Sequence, residues 1–260
     1  MARSEQAWPG RLFLSLGRAL YVGAAFDTGL HAHHAIQVCI GISGTFRLRA
    51  SSGSAWLRSR AALVPANQPH QMAAGGELLA LAYIEPEGRD GKKLVVAEQP
   101  GGIIALPSGV AAEVAKGLER AGKEIGPAGA EELYLQLFRA LGFEESAGRP
   151  LDGRIASSLE ILRELTGELP SSLELAKSVG LSPTRFRHLF AAELGLSYRR
   201  YLLWRKLNAA AQELAAGGSL TGAACAAGFS DSSHLTRTFQ RMFGIAPSLV
   251  PREMWSFPTQ

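Results

Sequence analysis

The residues best equipped for chemistry fall at two places in the chain. Near the front, His31, His33, Gln37 and Cys39 share one parity. On a single strand all four side chains would point the same way. Neutral imidazoles beside a thiolate suit zinc, copper or nickel. His34 has the opposite parity and is expected at the surface. Further on, polar and basic residues gather twice: Thr184, Arg185, Arg187 and His188, then Ser232, Ser233, Thr236, Arg237 and Arg241. Arginine bonds two acceptors on a guanine edge, and serine and threonine reach base edges or phosphates. That chemistry is recognition of double-stranded DNA.

An internal repeat positions the second group. The first copy reads Ala176-x-x-x-Gly180-Leu181-Ser182, followed by Phe186, Phe190 and Gly195. The second reads Ala224-x-x-x-Gly228-Phe229-Ser230, followed by Leu235, Phe239 and Gly244. The glycines lie 48 residues apart and the phenylalanines 49, so the second turn carries one extra residue. The alanine lets two helices approach, and the glycine suits a helix end with a left-handed backbone. Ser182 in one copy, and Ser230 or Asp231 in the other, can cap the next helix. Ser182 also counts among the candidate DNA contacts. Phe186 with Phe190, and Leu235 with Phe239, are four apart and anchor that helix to a core. A short helix, a tight turn and a second helix able to enter the major groove make a helix-turn-helix, here twice. Ser171-Ser172-Leu173 looks shifted by one residue against Ser219-Leu220, so the first unit is expected to start irregularly.

The remaining sequence sets the frame. From Arg11 to Glu85, short runs rich in Val, Ile, Phe, Leu and Tyr are broken by Gly, Ser and Pro, which predicts an antiparallel sandwich or small barrel. From Pro107 to Gly148 the period becomes helical: Val110, Val114 and Leu118, then Leu133, Leu137 and Leu141 with Tyr134 and Phe138. This apolar stripe has two readings, core packing or a dimerisation face. EESAGRP follows as a linker. From Leu151 onward the chain is mostly helical. The expected fold is therefore α+β with two domains: a β-barrel over 1–106, linker and dimerisation helices over 107–150, and an all-α domain over 151–260.

Bulk properties agree. Of 260 residues, 47% are hydrophobic and 19% charged, enough for packed cores. The formal charge is +4, and from Leu151 onward 12 Lys and Arg face nine Asp and Glu. Two cysteines placed in different domains form no disulfide framework, which fits a reducing cytosol. The opening MARSEQAWPGR lacks a leader pattern, and no stretch is apolar enough to span a bilayer. A cytoplasmic protein without membrane association is expected.

From about Ile155 to Trp255 the sequence resembles the AraC/XylS family of transcription regulators, most specifically in GFSDSSHLTRTFQRMFGIAPS and in the Arg205-x-x-x-Ala209 helix between the units. The resemblance implies two helix-turn-helix units entering successive major-groove segments on one DNA face. A helix of about Tyr198 to Ala216 would fix their separation. It implies base contacts from Thr184, Arg187 and His188, and from Ser232, Ser233, Thr236 and Arg237. His188 stands where the family often has arginine. RNA polymerase is an expected partner, a homodimer an expected assembly, and activation the commoner mode.

The front domain resembles the cupin-like barrel of many such regulators. His31-Ala32-His33, Gln37 and Gly44 follow the first cupin motif, and Pro65-x-Asn67-x-x-His70 the second. The resemblance implies a lumen lined by His31, His33, Gln37, Cys39 and His70. Gln37 replaces the usual metal-binding glutamate, Asn67 a glycine, and Ala74 an asparagine. Three occupancies stay open: a divalent metal (zinc, copper or nickel), a small organic effector, or purely structural histidines. An effector in the barrel would act by shifting the 107–148 helices. A cupin enzyme, such as an isomerase or dioxygenase, is the competing class. The missing glutamate and the doubled helix-turn-helix argue against it, so no enzyme is expected. A front domain that only dimerises or meets a protein partner is a third class.

Overall fold

The computed structural model describes residues 10–96, 102–121, 125–143, 151–165 and 169–256. The whole EESAGRP linker, and all but the last two residues of the opening MARSEQAWPGR, lie outside them.

The front domain is built on a seven-stranded sheet. Its elements are β1 (Arg11–Ser15), β2 (Arg18–Ala24), β3 (Ile36–Gly41), β6 (Ala61–Val64), β8 (Leu78–Ile84), β9 (Ile104–Ala105) and β10 (Trp255–Ser256). A second sheet holds β4 (Phe46–Arg49), β5 (Leu57–Ser59) and β7 (Gln71–Ala73). The orders are β10-β1-β2-β8-β3-β6-β9 and β5-β4-β7. Pairings are antiparallel except β1 with β10.

Strand β3 is buried on both faces, and its alternation separates two cores. Ile36, Val38 and Ile40 face helices α2 (Ser108–Ala121) and α3 (Pro127–Ala140), with α1 (Arg89–Val96) contributing Leu94. On the other side Cys39, Ala62, Val64, Leu79 and Leu81 pack against Phe46, Leu48 and Met72 of the smaller sheet. The expected antiparallel domain is thus formed by two facing sheets. In α2 and α3, Val110, Val114, Leu118, Leu133, Tyr134, Leu137 and Phe138 are all buried in this core. Core packing is therefore what occupies the apolar stripe.

The C-terminal helices are α4 (Gly153–Glu164), α5 (Ser172–Ser178), α6 (Pro183–Leu194), α7 (Tyr198–Ala215), α8 (Leu220–Ala226) and α9 (Ser232–Phe243). The two copies keep register through their caps. Ser171 caps α5 in a reciprocal capping box with Glu174, and Ser219 caps α8. These serines keep the glycine spacing, so the expected irregular start of the first unit is not found. Ser172 is simply the first residue of α5. Gly180 and Gly228 take φ of +67° and +72° in the turns. Ser182 caps α6 and Asp231 caps α9. The Asp231 carboxylate accepts from the His234 N–H at 2.7 Å, which holds its pKa below the ordinary range. Asp231→Ala is expected to lower the denaturation midpoint more than Ser230→Ala.

The first unit has its own core of Ile155, Leu162, Leu175, Phe186, Phe190, Tyr198 and Tyr201. The second does not. Leu235, Phe239, Met242 and Phe243 share a cluster with Leu12, Leu14 and Ala19 of the front sheet, and with Trp255.

Candidate nucleic-acid interface and histidine cluster

In α6, Phe186, Phe190 and Glu193 turn inward. At about 100° per residue, Thr184 and His188 fall opposite that buried side, with Arg185 and Arg187 on its two flanks. All four are exposed, as is the capping residue Ser182. Arg187 donates to the Thr184 hydroxyl at 3.4 Å. In α9, Leu235, Phe239, Met242 and Phe243 turn inward. Ser233, Arg237 and Arg241 are exposed on the far side. Ser232 and Thr236 sit nearer the core, half-buried, and the Thr236 hydroxyl donates to the Ser232 carbonyl at 2.8 Å. Exposed Gln240 shares the face of Arg237 and was missed in the sequence, where nothing marks it. By register His188 and Arg237 occupy equivalent places. The two helices are joined through α7, whose 18 residues extend about 27 Å.

The structure gathers His31, His33 and His70. Their ring centroids are 4.3–5.7 Å apart, and their candidate ligand nitrogens all lie within 4.8 Å of one another. His31 and His70 face each other across a backbone bridge, exchanging N–H···O bonds of 2.9 and 2.8 Å. Asn67, at φ +59°, makes the left-handed turn ahead of His70, a conformation asparagine tolerates. Each Nδ1 pairs with a backbone carbonyl at 2.9 Å: His31 with Gly29, His33 with Ala35 and His70 with Gln68. A donated Nδ1–H leaves a lone pair on each Nε2. Gln37 Oε1 lies 2.8 Å from His33 Nε2, and a neutral His33 pairs with this side chain when the amide is turned to present its NH2 to the Nε2 lone pair. Burial lowers the pKa of His33 and takes His70 down to about 4, so both imidazoles are neutral. The donor set fits a borderline metal: three imidazoles oriented by backbone carbonyls, with an amide nearby. Cys39 does not join it. Its thiol lies in the dry inter-sheet core, where burial pushes the pKa up to about 12.

The cluster opens toward the helical domain. A Cβ on Gly244, the left-handed cap ending α9, would lie 2.4 Å from His31 Cδ2 and 3.0 Å from His33 Cδ2. Gly195, the matching cap of α6, abuts Arg89, whose guanidinium donates to the Glu193 carbonyl at 2.6 Å. The front domain therefore holds α6 and α9, the second helix of each unit, by their C-terminal ends.

A third group completes the contact. Glu85, fully buried at the end of β8, accepts from Trp204 Nε1 at 3.0 Å, pairs with Arg200, and lies 3.3 Å from His34 Nε2. His34, expected at the surface, is only 22% exposed because β3 begins at Ile36 and alternation does not extend back to it. Burial alone would raise the Glu85 pKa, but the bonds from His34, Arg200 and Trp204 prevail and lower it.

A family model described as a helix-turn-helix domain matches residues 175–252. The virulence regulon transcriptional activator VirF of Yersinia enterocolitica is 36% identical over 76 residues, as is the thermoregulatory protein LcrF of Yersinia pestis. The match covers 29% of this chain and 28% of each relative. The chain is also similar to ToxT of Vibrio cholerae, at 12% identity, TM-score 0.44, and coverage of 89% of this chain and 95% of that one. A regulator of Chromobacterium violaceum with an AraC-type DNA-binding domain is 28% identical over 37% of this chain and 87% of its own, with TM-score 0.34. No helix among the described residues is long and apolar enough to cross a membrane. With two helix-turn-helix units in register through one connecting helix, and a matching family model across them, residues 175–252 form a helix-turn-helix domain, carried behind a sheet-rich front domain.

Proposed function

We propose that this protein is a cytoplasmic, non-enzymatic transcription regulator that binds a specific double-stranded DNA site through both units. The observation that carries the reading is the pair of capped helices α6 and α9, each presenting Ser or Thr with Arg or His on its free side, in two helix-turn-helix units joined through α7. Ser182, Thr184, Arg185, Arg187 and His188 would face one major-groove segment. Ser232, Ser233, Thr236, Arg237 and Arg241 would face the next, with Gln240 added from the fold. Phosphate contacts by these cations release counterions, so binding should weaken steeply with salt. RNA polymerase is the natural protein partner. A homodimer through α2 and α3 would have to use their outer, charged faces.

Selection of bound sequences from a random duplex library tests the reading. A site with two conserved blocks about one helical turn apart is the expected product. Recovery of no preferred sequence would overturn it. Arg237→Ala is expected to weaken the selected site by about 1–3 kcal/mol if Arg237 makes a bidentate base contact. Titrations on selected and random duplexes separate the cases, since equal losses on both would make Arg237 a phosphate contact.

The front domain is proposed to bind an effector at His31, His33 and His70 with Gln37 alongside. A divalent metal is favoured over an organic molecule by one observation: each of the three rings offers a nitrogen, and these nitrogens all lie within 4.8 Å of one another.

A further inference from the structure

We propose that an ion held by His31, His33 and His70 is read directly by α9, through the C-terminal end of that helix, and that its binding tightens the docking of the second helix-turn-helix unit on the front domain. The inference rests on the reading of the histidine cluster as an ion site and adds how occupancy would be transmitted.

Three contacts carry it. First, the Gly244 cap leaves no room for any side chain between α9 and the cluster. A Cβ there would stand 2.8 Å from His31 Nε2, the ring nitrogen not paired with the Gly29 carbonyl. Second, the segment bearing the histidines is hydrogen-bonded to the last turn of α9. The His34 N–H donates to the Arg241 carbonyl at 2.6 Å, and the Ala35 N–H to the Met242 carbonyl at 3.4 Å. Third, aromatic rings join the two sides: His33 packs edge-on to Tyr83 at 5.4 Å, and Tyr83 edge-on to Phe243 at 5.7 Å. Closing three imidazoles on an ion moves His31 and His33, and neither can move without changing its contact with Gly244.

The sign follows from the helix end. The C-terminus of α9 carries the negative pole of the helix dipole. A divalent ion at the cluster adds positive charge beside it, so docked α9 and bound ion favour each other. Thermodynamic linkage makes the effect reciprocal: whatever undocks α9 must weaken the ion. Helices α2 and α3 pack on the opposite face of the sheet, so this route does not pass through them.

The test uses the full chain. Co²⁺, Zn²⁺ and Ni²⁺ are titrated by calorimetry, with the Co²⁺ absorption spectrum reporting imidazole ligation. Amide hydrogen exchange is followed at His34 and Ala35 with and without ion. One ion per chain, abolished by His31→Asn with His70→Asn, and exchange slowed about fivefold or more at the two amides, is the expected result. Arg200→Gln, which loosens docking away from the cluster, should weaken Co²⁺ by a similar factor. Stoichiometric binding with unchanged exchange would overturn the inference and leave the ion site standing. No ion binding would overturn both, without touching the DNA reading, which the duplex selection tests separately. The exchange measurement on the unaltered protein decides the matter even if Arg200→Gln fails to fold.

Discussion

Glu85→Ala is expected to destabilise the docked protein by about 3–5 kcal/mol, because it leaves the Arg200 guanidinium largely buried without its carboxylate. Arg200 is 16% exposed and Glu85 not at all. Arg200 Nε already lacks a hydrogen-bond partner among the described residues, so nothing there replaces the lost ion pair. Trp204 Nε1, in a fully buried indole, would lose its acceptor as well. Urea denaturation followed by tryptophan fluorescence measures the loss. A change below 1 kcal/mol would mean that Glu85 is dispensable to docking. The same carboxylate gives docking a pH dependence. Its pKa is lowered on folding, so its contribution is complete above the ordinary carboxylate pKa and disappears as pH falls through the lowered value. Acid titration of the unaltered chain should therefore loosen the domains before it unfolds the first helix-turn-helix unit, and the Glu85→Ala variant should lack that early step.

Phe186→Ala and Phe239→Ala are each expected to cost about 3–5 kcal/mol, since both side chains are buried in tight aromatic cores. Their consequences should differ. Phe186 touches Phe190 and Tyr198, with ring centroids 5.4 and 5.6 Å away, in a cluster drawn wholly from residues 155–201. Its loss should melt the first unit and spare the second. DNA binding should fall to what one unit supports. Phe239 lies against Phe243 and Trp255, at 4.6 and 5.8 Å, in a cluster that includes front-sheet residues. Its loss should raise hydrogen exchange in β1 as well as in α9. If Phe186→Ala instead unfolds the whole chain in one transition, the first unit is not the separate cooperative body its core describes.

The helix-turn-helix pair was legible in the sequence because each signal is local. A cap, a left-handed glycine and two aromatics four apart act within a dozen residues, and they repeat. The one local misreading, at Ser171, arose because two adjacent serines compete for the cap, and only the backbone shows which is used. Parity correctly put Gln37 and Cys39 on one face of β3, but it could not say that Cys39 faces a dry interior. Nor could it say that His31 and His33 precede the strand and gather through the bridge to His70. The docking contacts were invisible for another reason. Glu85 meets Arg200 and Trp204 across separations of 115 and 119 residues, and no pattern within one element encodes a partner so distant.

Strand β10 has a consequence for how the protein is made. Leu12 and Phe13 pair with Trp255 and Ser256, and Arg11 reaches the Glu253 carbonyl, 242 residues along the chain. During synthesis β1 precedes β10 by both helix-turn-helix units, and among the described residues β10 is what covers its outer edge. An uncovered strand edge invites pairing with other chains. The nascent protein thus carries a self-adhesive edge from the translation of β1 until that of β10, and a truncated product ending before Trp255 keeps it for good. Premature stops should therefore yield aggregates rather than a free sensor domain, and pulse-labelled fragments of graded length, sorted by solubility, would show the change where β10 is added.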